Sequence, residues 1–157
     1  MADSPRNVFV RPMARQDLPR LVELDWVSNH PAWSLKMFER ELELPFSLPL
    51  VAVCDGQVAA FVVAWLVAGV AQIQQLAVAP EFRRQGIAIL LLRRLAAAAR
   101  KEGCAKMELE VRQGNLAAKG LYERLGFKPV GSRKNFYRSQ QPAVQPDEPA
   151  ILMEYLL

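Results

Sequence analysis

Short apolar runs and amphipathic repeats alternate along the first part of the chain. The segment Asn7 to Arg11 alternates weakly between apolar and polar residues and predicts a first strand. Asp17 and Pro19 are typical of the opening of a helix. Ser34 is a suitable N-cap for a second helix, which is expected to end before Pro45. The fold is therefore predicted to open with a strand and two helices.

Three strand-like runs come next, and turn residues separate them. Pro49 marks the boundary before the first run. Asp55-Gly56 is a strong hairpin signal, so the first two runs are expected to pair antiparallel. Gly69 precedes the third run and Pro80 ends it. The three predicted strands are Leu50 to Cys54, Gln57 to Val67 and Ala71 to Val78.

The later part of the chain begins with a helical pattern. From Gly86 to Lys101 the apolar residues fall on one arc and the basic residues on the opposite one, and Gly103 is a natural stop. The segments that follow are a strand from Lys106 to Arg112, a helix from about Asn115 to Leu125 closed by Gly126, a strand near Lys128 to Phe136 and a strand from Ala150 to Leu157. This order predicts an α/β (α+β) layer fold with a mixed sheet.

A polar segment from Arg138 to Pro149 separates the last two predicted strands. It contains Pro142, Pro146 and Pro149 and is too long for a tight hairpin. Two interpretations stay open at this point: the segment contacts a substrate, or it is a flexible loop.

Composition places the chain among compact globular proteins. With 157 residues, 52% hydrophobic and 23% charged, residues 1–157 are expected to form a single domain. The longest uncharged apolar stretch, Val58 to Ala71, is shorter than the about 20 residues of a spanning helix and indicates buried strand. The N-terminus lacks a basic region followed by an apolar one, which favours a cytoplasmic protein. Cys54 and Cys104 are expected to be reduced, partly buried thiols.

The formal net charge of +4 suits an acidic partner, such as nucleic acid, a ribosomal surface or an anionic cofactor. Charge alone does not choose among them. The basic residues are spread over the chain, without an aromatic-interleaved basic stripe or a zinc-finger spacing. Direct nucleic-acid readout therefore has little support.

The strongest local signal is a strand that ends at Val78, a loop with Gly86 and a helix that begins there. This geometry directs unpaired backbone N–H groups at one place, which is suited to phosphate. Gly86 lets an anion approach the main chain, and Arg83 and Arg84 are expected to add charge at the rim. The loop has neither the Walker ending nor the three glycines of a dinucleotide site. An ordinary strand-to-helix connection is the alternative.

Several motifs that follow one another along the chain favour the phosphate site over an ordinary connection. The run LAVAPEFRRQGIAILLLRRL resembles the cofactor-binding motif of the GNAT superfamily of N-acetyltransferases, and Arg83, Gly86 and Ala88 match it. Ala88 stands where close relatives often have glycine, which the superfamily pattern admits. The segment LEVRQGNLAAKGLYERLGF is similar to RimI-type ribosomal-protein-alanine acetyltransferases, as is Pro31-Ala32-Trp33-Ser34. The resemblance spans most of the chain.

The resemblance implies a GNAT-like single domain with a mixed, mostly antiparallel sheet of about seven strands and about four helices. It implies acetyl-CoA as cosubstrate and no metal. In the family pattern, backbone groups of the strand before the turn hold the pantetheine arm where that strand splays, and an N–H there can stabilise an oxyanion. The cofactor-binding residues implied are Leu76, Ala77, Val78, Arg83, Arg84, Gln85, Gly86, Ile87, Ala88 and Asn115.

Candidate catalytic residues lie downstream. Glu108 and Glu110 alternate with apolar residues, so both are expected on the strand face opposite the core. By the resemblance, Glu110 is the general base, acting through water, and Tyr122 protonates the CoA thiolate. Tyr122 is expected to lie off the apolar face of its helix. A solvated strand carboxylate and a plain helix tyrosine are the alternatives. Trp33 and Tyr137 are candidate substrate contacts.

Three functions remain open on these grounds. The first is acetylation of a protein or peptide N-terminus, with a ribosomal-protein alanine as the acceptor that the resemblance implies. The second is acetylation of a small-molecule amine or a lysine side chain, and the third is a non-catalytic acyl-CoA-binding module. His30 is interpreted as a loop-packing residue, and nothing near Cys104 suggests an activated thiolate. No membrane partner is expected, and the protein is expected to be a monomer or weak dimer.

Overall fold

The computed structural model describes residues 6–137, 139 and 147–157, and only the main chain of Asn135. Its strands are β1 Val8–Pro12, β2 Ser47–Cys54, β3 Gln57–Val67, β4 Val70–Val78, β5 Lys106–Arg112, β6 Lys128–Tyr137 and β7 Glu148–Leu156. Its helices are α1 Leu18–Ser28, α2 Leu35–Glu43, α3 Ile87–Lys101 and α4 Leu116–Leu125. Most of the segment from Arg138 to Pro149 lies outside the described residues.

The seven strands form one sheet in the order β1-β2-β3-β4-β5-β7-β6. Every neighbouring pair is antiparallel except β4 and β5, which run parallel because α3 carries the chain across between them. The last strand, β7, lies between β5 and β6. The predicted mixed, mostly antiparallel sheet is confirmed.

Consecutive residues of β3 are buried, so both faces of the sheet are covered at this strand, and helices provide the cover. On one face, which we call the acceptor face, α1 and α2 pack against the strands, and Phe38 of α2 lies edge-on to Phe61 of β3 at 5.2 Å. The opposite face of β3, which includes Val62, is covered by α3. Cys54 and Cys104 are free and buried. No helix in the described part of the chain is long and apolar enough to cross a membrane.

Pro49 lies inside β2, so its interpretation as a boundary was wrong. The Met13 N–H donates to the Pro49 carbonyl at 3.0 Å, which places that side of Pro49 just beyond the end of β1. Proline is tolerated at such a position because the N–H that it lacks would have pointed past the end of β1, where no strand residue needs it as a donor. The hairpin at Asp55-Gly56 is confirmed, with φ values of 50° and 82° at these residues.

Candidate functional site

The two parallel strands at the centre of the sheet separate part-way along. Pairing between β4 and β5 is confined to the stretch from Val70↔Lys106 to Gln72↔Glu108. Beyond it, β4 continues to Val78 and β5 to Arg112, with no pairing between them. A wedge-shaped gap therefore opens between two adjacent strands, which exposes main-chain groups in the middle of a sheet.

The edge of β4 that faces this gap is formed by Leu76 and Val78. The Ala79 N–H bonds to the Ala59 carbonyl at 2.8 Å, and the alternation of an antiparallel ladder then assigns the main-chain groups of Ala77 to β3. Those of Leu76 and Val78 point the other way, into the gap. Their carbonyls accept side-chain donors there, from Asn29 Nδ2 at 3.1 Å and Arg83 Nε at 3.0 Å. The geometry thus favours Leu76 and Val78 over Ala77 among the predicted cofactor contacts.

The turn before α3 has the conformation that an anion cradle requires. Gly86 has φ 79°, in the left-handed region, and a Cβ built on it meets nothing within 4 Å. Buried Ile87 fixes the first turn of α3, and the Leu90 N–H is the first to bond back within the helix, to the Gly86 carbonyl. The N–H groups before Leu90 are thus directed at the space in front of the helix. The residues present fit a pyrophosphate group.

The side chains of this turn are oriented differently from the expectation. Arg83 folds back, and its Nη2 donates to Ser28 Oγ at 3.1 Å, so its guanidinium lies along the end of β4 and not at the rim. Gln85 accepts from Arg6 Nη1 at 2.6 Å. Arg84 is exposed and has φ 60°. The charge at the rim therefore comes from Arg84 and from Arg6, which is bonded to Gln85. Ala88 is half-buried in the first turn of α3.

Glu110 lies on the acceptor face, where the wedge opens beside β5. The buried and half-buried residues of β5 alternate, as the sequence predicted. The Glu110 side chain is 27% exposed, and its Oε1 lies 3.2 Å from Arg133 Nη2 on β6. No hydrogen bond to the Glu110 carboxylate is found in the described part of the chain, so it can still accept one from a water or an amine.

Tyr137 lies next to Glu110. Its ring carries the Arg112 guanidinium at 4.2 Å, a stacked cation–π contact. Burial, the neighbouring Glu110 and Glu148 raise the pKa of Tyr137, and Arg112 partly offsets this. The two carboxylates and the cation therefore surround the phenol at the end of β6, and Tyr137 stays a neutral hydrogen-bond donor at physiological pH.

Tyr122 is the buried residue of α4, at 8% exposure. It does not lie off the packed face as expected, because Phe127 folds back under the helix and its ring lies 5.6 Å from that of Tyr122. Burial, with a smaller effect of Tyr137, raises the pKa of Tyr122 to about 12. Its hydroxyl bonds to none of the described residues and is not among their buried unpaired atoms, so it reaches accessible space. A neutral phenol directed at an opening can donate a proton.

The raised pKa of Tyr122 predicts a specific loss of stability at high pH. The folded state favours the protonated phenol, so the stabilisation is complete below pH 10 and is lost as pH rises toward the folded pKa of about 12. Relative to Tyr122→Phe, the wild type should lose roughly 1 kcal/mol of unfolding free energy between pH 8 and pH 11. Urea unfolding of both proteins at the two pH values measures this, and parallel pH dependences would contradict the assignment.

Sequence reasoning missed Asp25, which is fully buried near the end of α1. It accepts from the Trp33 N–H at 2.6 Å, from Asn29 Nδ2 at 2.7 Å and from Gln75 Nε2 at 2.9 Å. Asp25 therefore ties the α1–α2 connection to β4 beside the wedge, and fixes Trp33, which is half-buried against Phe38. A single aspartate among polar helix residues gives no sequence signal of this role.

Arg112 was also missed, and it joins the two sides of the site. Besides stacking on Tyr137, its Nη2 donates to the His30 carbonyl in the α1–α2 connection. His30 itself is exposed and contributes a main-chain oxygen, in line with its interpretation as a loop residue.

Asn115 caps α4, since its side chain accepts from the Ala118 N–H at 3.1 Å. Burial and Glu102 raise the pKa of Cys104, which argues against an activated thiolate.

Replacing Arg112 tests this link. Arg112→Ala should raise the acceptor KM by about tenfold, because it removes a stacked cation worth roughly 1–2 kcal/mol, while the affinity for CoA should not change. Arg112→Lys, which keeps the charge but not the planar stack, should lie closer to Ala than to the wild type. Steady-state kinetics with calorimetry of CoA binding distinguish the effects. An unaltered acceptor KM would show that the stack does not position Tyr137 for the acceptor.

Known proteins are similar to this chain in sequence and in fold. Residues 18–127 match the family model described as the acetyltransferase (GNAT) family. The chain is 36% identical over 140 residues to the [ribosomal protein bS18]-alanine N-acetyltransferase of Escherichia coli strain K12, covering 87% of this chain and 89% of that protein.

Solved structures agree with this match. The crystal structure of the ribosomal-protein-S18-alanine N-acetyltransferase from Escherichia coli superposes with a TM-score of 0.85 at 31% identity, over 96% of this chain and 94% of that one. NAA60 of Arabidopsis thaliana in complex with acetyl-CoA shares the fold, with a TM-score of 0.86 at 20% identity over 96% and 99% of the two chains. The chain therefore belongs to the acetyltransferase (GNAT) family and is an acyl-CoA:amine N-acetyltransferase.

Proposed function

We propose that this enzyme transfers the acetyl group of acetyl-CoA to the N-terminal α-amino group of a protein, and that its acceptor is the N-terminal alanine of a ribosomal protein. The relatives that support this acceptor are named for the alanine of ribosomal protein bS18. The observation that carries the proposal is the position of Glu110 beside the gap between β4 and β5, with Tyr137 next to Glu110 and Tyr122 next to Tyr137.

The chemical roles that we propose for these residues follow from their positions. Acetyl-CoA supplies an acetyl group activated as a thioester, with its pyrophosphate at the Gly86 turn and its arm along Leu76 and Val78. The Glu110 carboxylate accepts the ammonium proton through water, which leaves a nucleophilic amine. The Tyr122 phenol, neutral because of its burial, donates the proton to the departing thiolate. Either N–H of Leu76 or Val78 is suited to an oxyanion.

The acceptor side supports a peptide chain more than a small amine. Arg112 connects Tyr137, at the end of β6, to the α1–α2 connection through the His30 carbonyl, and Trp33 lies further along the same connection. Glu108 and Glu110 are both half-buried on the same face of β5, so carboxylates continue along the sheet beyond the position proposed for the amine. An extended chain with its terminus at Glu110 can lie in such a cleft.

A panel of acceptors tests the proposal. Release of CoA from acetyl-CoA should be fast with short peptides that begin with alanine and slow with the same peptides blocked at the N-terminus. Polyamines, aminoglycosides and lysine derivatives should be poor acceptors. Turnover of those amines without turnover of the free peptides would assign the small-molecule or lysine reaction. Binding of acetyl-CoA without any turnover would assign a non-catalytic module.

A further inference from the structure

A second cavity lies on the acceptor face, between α2 and the sheet. Its volume is about 350 Å³. Two indole rings contribute to its walls, Trp33 from the α1–α2 connection and Trp65 from β3. The residues that line it are Trp33, Met37, Arg40, Glu41, Trp65 and Gln74.

Glu41 is the unusual member of this lining, because it is a carboxylate only 5% exposed. Its Oε2 accepts from Ser47 Oγ at 2.6 Å and from Trp65 Nε1 at 2.8 Å. Within the described part of the chain, no donor bonds to Oε1 and no cation lies within 4.0 Å of the carboxylate, although Arg40 is next to it in sequence and lines the same cavity. These two bonds tie α2 to β2 and β3, but they satisfy only one of the two oxygens.

Oε1 of Glu41 is not among the buried unpaired atoms of the described residues, so it is open to the cavity, where a carboxylate without a cation attracts one. Indole faces are the aromatic surface that attracts cations most strongly. We propose that this cavity, with Glu41 at its base and Trp33 and Trp65 at its walls, binds an arginine or lysine side chain of the acceptor protein. The proposal rests on the proposed peptide acceptor, and it adds a basic residue downstream of the acetylated terminus as a requirement for tight binding.

The register of the sheet sets which acceptor residue reaches the cavity. Trp65 pairs with Gln72, and Gln72 with Glu108, so Trp65 and Glu108 lie two strand spacings apart, about 10 Å. Glu110 lies two residues further along β5, about 7 Å. The diagonal of about 12 Å is spanned by three or four extended residues. The basic side chain therefore belongs to about the fourth residue of the acceptor.

Direct binding tests the cavity without acetyl transfer. The probe is Nα-acetyl-arginine amide, which has no free α-amine, and the signal is the intrinsic fluorescence of the tryptophans. The wild type should show a saturable change, Glu41→Gln should lose it, and Glu43→Gln, an exposed carboxylate on the same helix, should keep it. Met37→Lys, which brings a cation into the cavity from a position 45% exposed, should also lose it. Equal titrations of wild type and Glu41→Gln would overturn the proposal.

Peptide kinetics then test the role in acetylation. Alanine-initiated peptides with a single arginine moved from the second to the sixth residue should show the largest kcat/KM near the fourth, about tenfold above the neutral peptide. In Glu41→Gln that ratio should fall to near one, and in Glu43→Gln it should persist. If arginine amide binds through Glu41 but no peptide is acetylated, the site stands and the proposed function fails. If peptides are acetylated with the same ratio in both variants, the function stands and the site fails.

Discussion

Gly86→Glu is expected to abolish CoA binding, with a loss of affinity of more than about 100-fold. A side chain at Gly86 projects into the space in front of α3, where the N–H groups before Leu90 are directed. A carboxylate there blocks the approach of the pyrophosphate and repels its charge, and about 3 kcal/mol of lost interaction suffices for this loss. Isothermal titration calorimetry with CoA measures it.

Gly69→Glu is the matched control for backbone strain. Gly69 has φ 77°, against 79° for Gly86, and a Cβ on either residue meets nothing within 4 Å. Both substitutions therefore impose the same left-handed strain on a non-glycine residue. Only Gly86 lies at the start of α3, so CoA affinity should survive in Gly69→Glu. Equal affinities in the two variants would remove the Gly86 turn from the cofactor site.

Glu110→Gln is expected to lower kcat by about 100-fold or more, which is the range for loss of a positioned general base. The affinity for acetyl-CoA should stay within about twofold, because the side chain lies on β5 across the wedge from the turn proposed to hold the pyrophosphate. The amide keeps the size of the side chain but cannot take a proton from the amine. Raising the pH should partly restore the rate, since a larger fraction of the acceptor amine is then already neutral.

Glu108→Gln is the control for Glu110→Gln. Glu108 lies on the same strand and the same face, and it accepts from Gln72 Nε2 at 3.0 Å and lies 3.6 Å from Lys106 Nζ. Its loss removes a partly exposed ion pair worth at most about 1 kcal/mol. Activity should remain within about threefold of the wild type. If the two variants lost activity equally, Glu110 would be one member of an electrostatic surface and not the base.

Hydrophobic periodicity and turn residues were sufficient to predict most helices and strands of the fold. The predicted boundaries of β5 were Lys106 and Arg112, and the structure has the same ones, because its two faces differ so clearly in polarity. The α4 helix was equally well marked, by a capping asparagine at one end and by Gly126, in the left-handed region, at the other. These signals are local, and tertiary contacts do not override them.

The features that create the site depend on contacts distant in sequence. The separation of β4 from β5 after Gln72 is invisible in the strand patterns, and only the family resemblance suggested it. The buried Asp25 bonds to Gln75, 50 residues away, and the stack of Arg112 on Tyr137 also joins two elements. The side-chain orientation of Arg83 depends likewise on Ser28, far earlier in the chain. No spacing rule predicts such partners.

The position of the acetyl group on a single peptide shows whether the enzyme uses an α-amine or an ε-amine as its acceptor. The peptide begins with alanine, carries arginine as its fourth residue and has one lysine near its C-terminus, so it offers both an α-amine and an ε-amine. Fragmentation mass spectrometry after incubation with the enzyme and acetyl-CoA locates the added group. We predict acetylation of the alanine α-amine, lost in Glu110→Gln and retained in Glu108→Gln. Acetylation confined to the lysine ε-amine would contradict it.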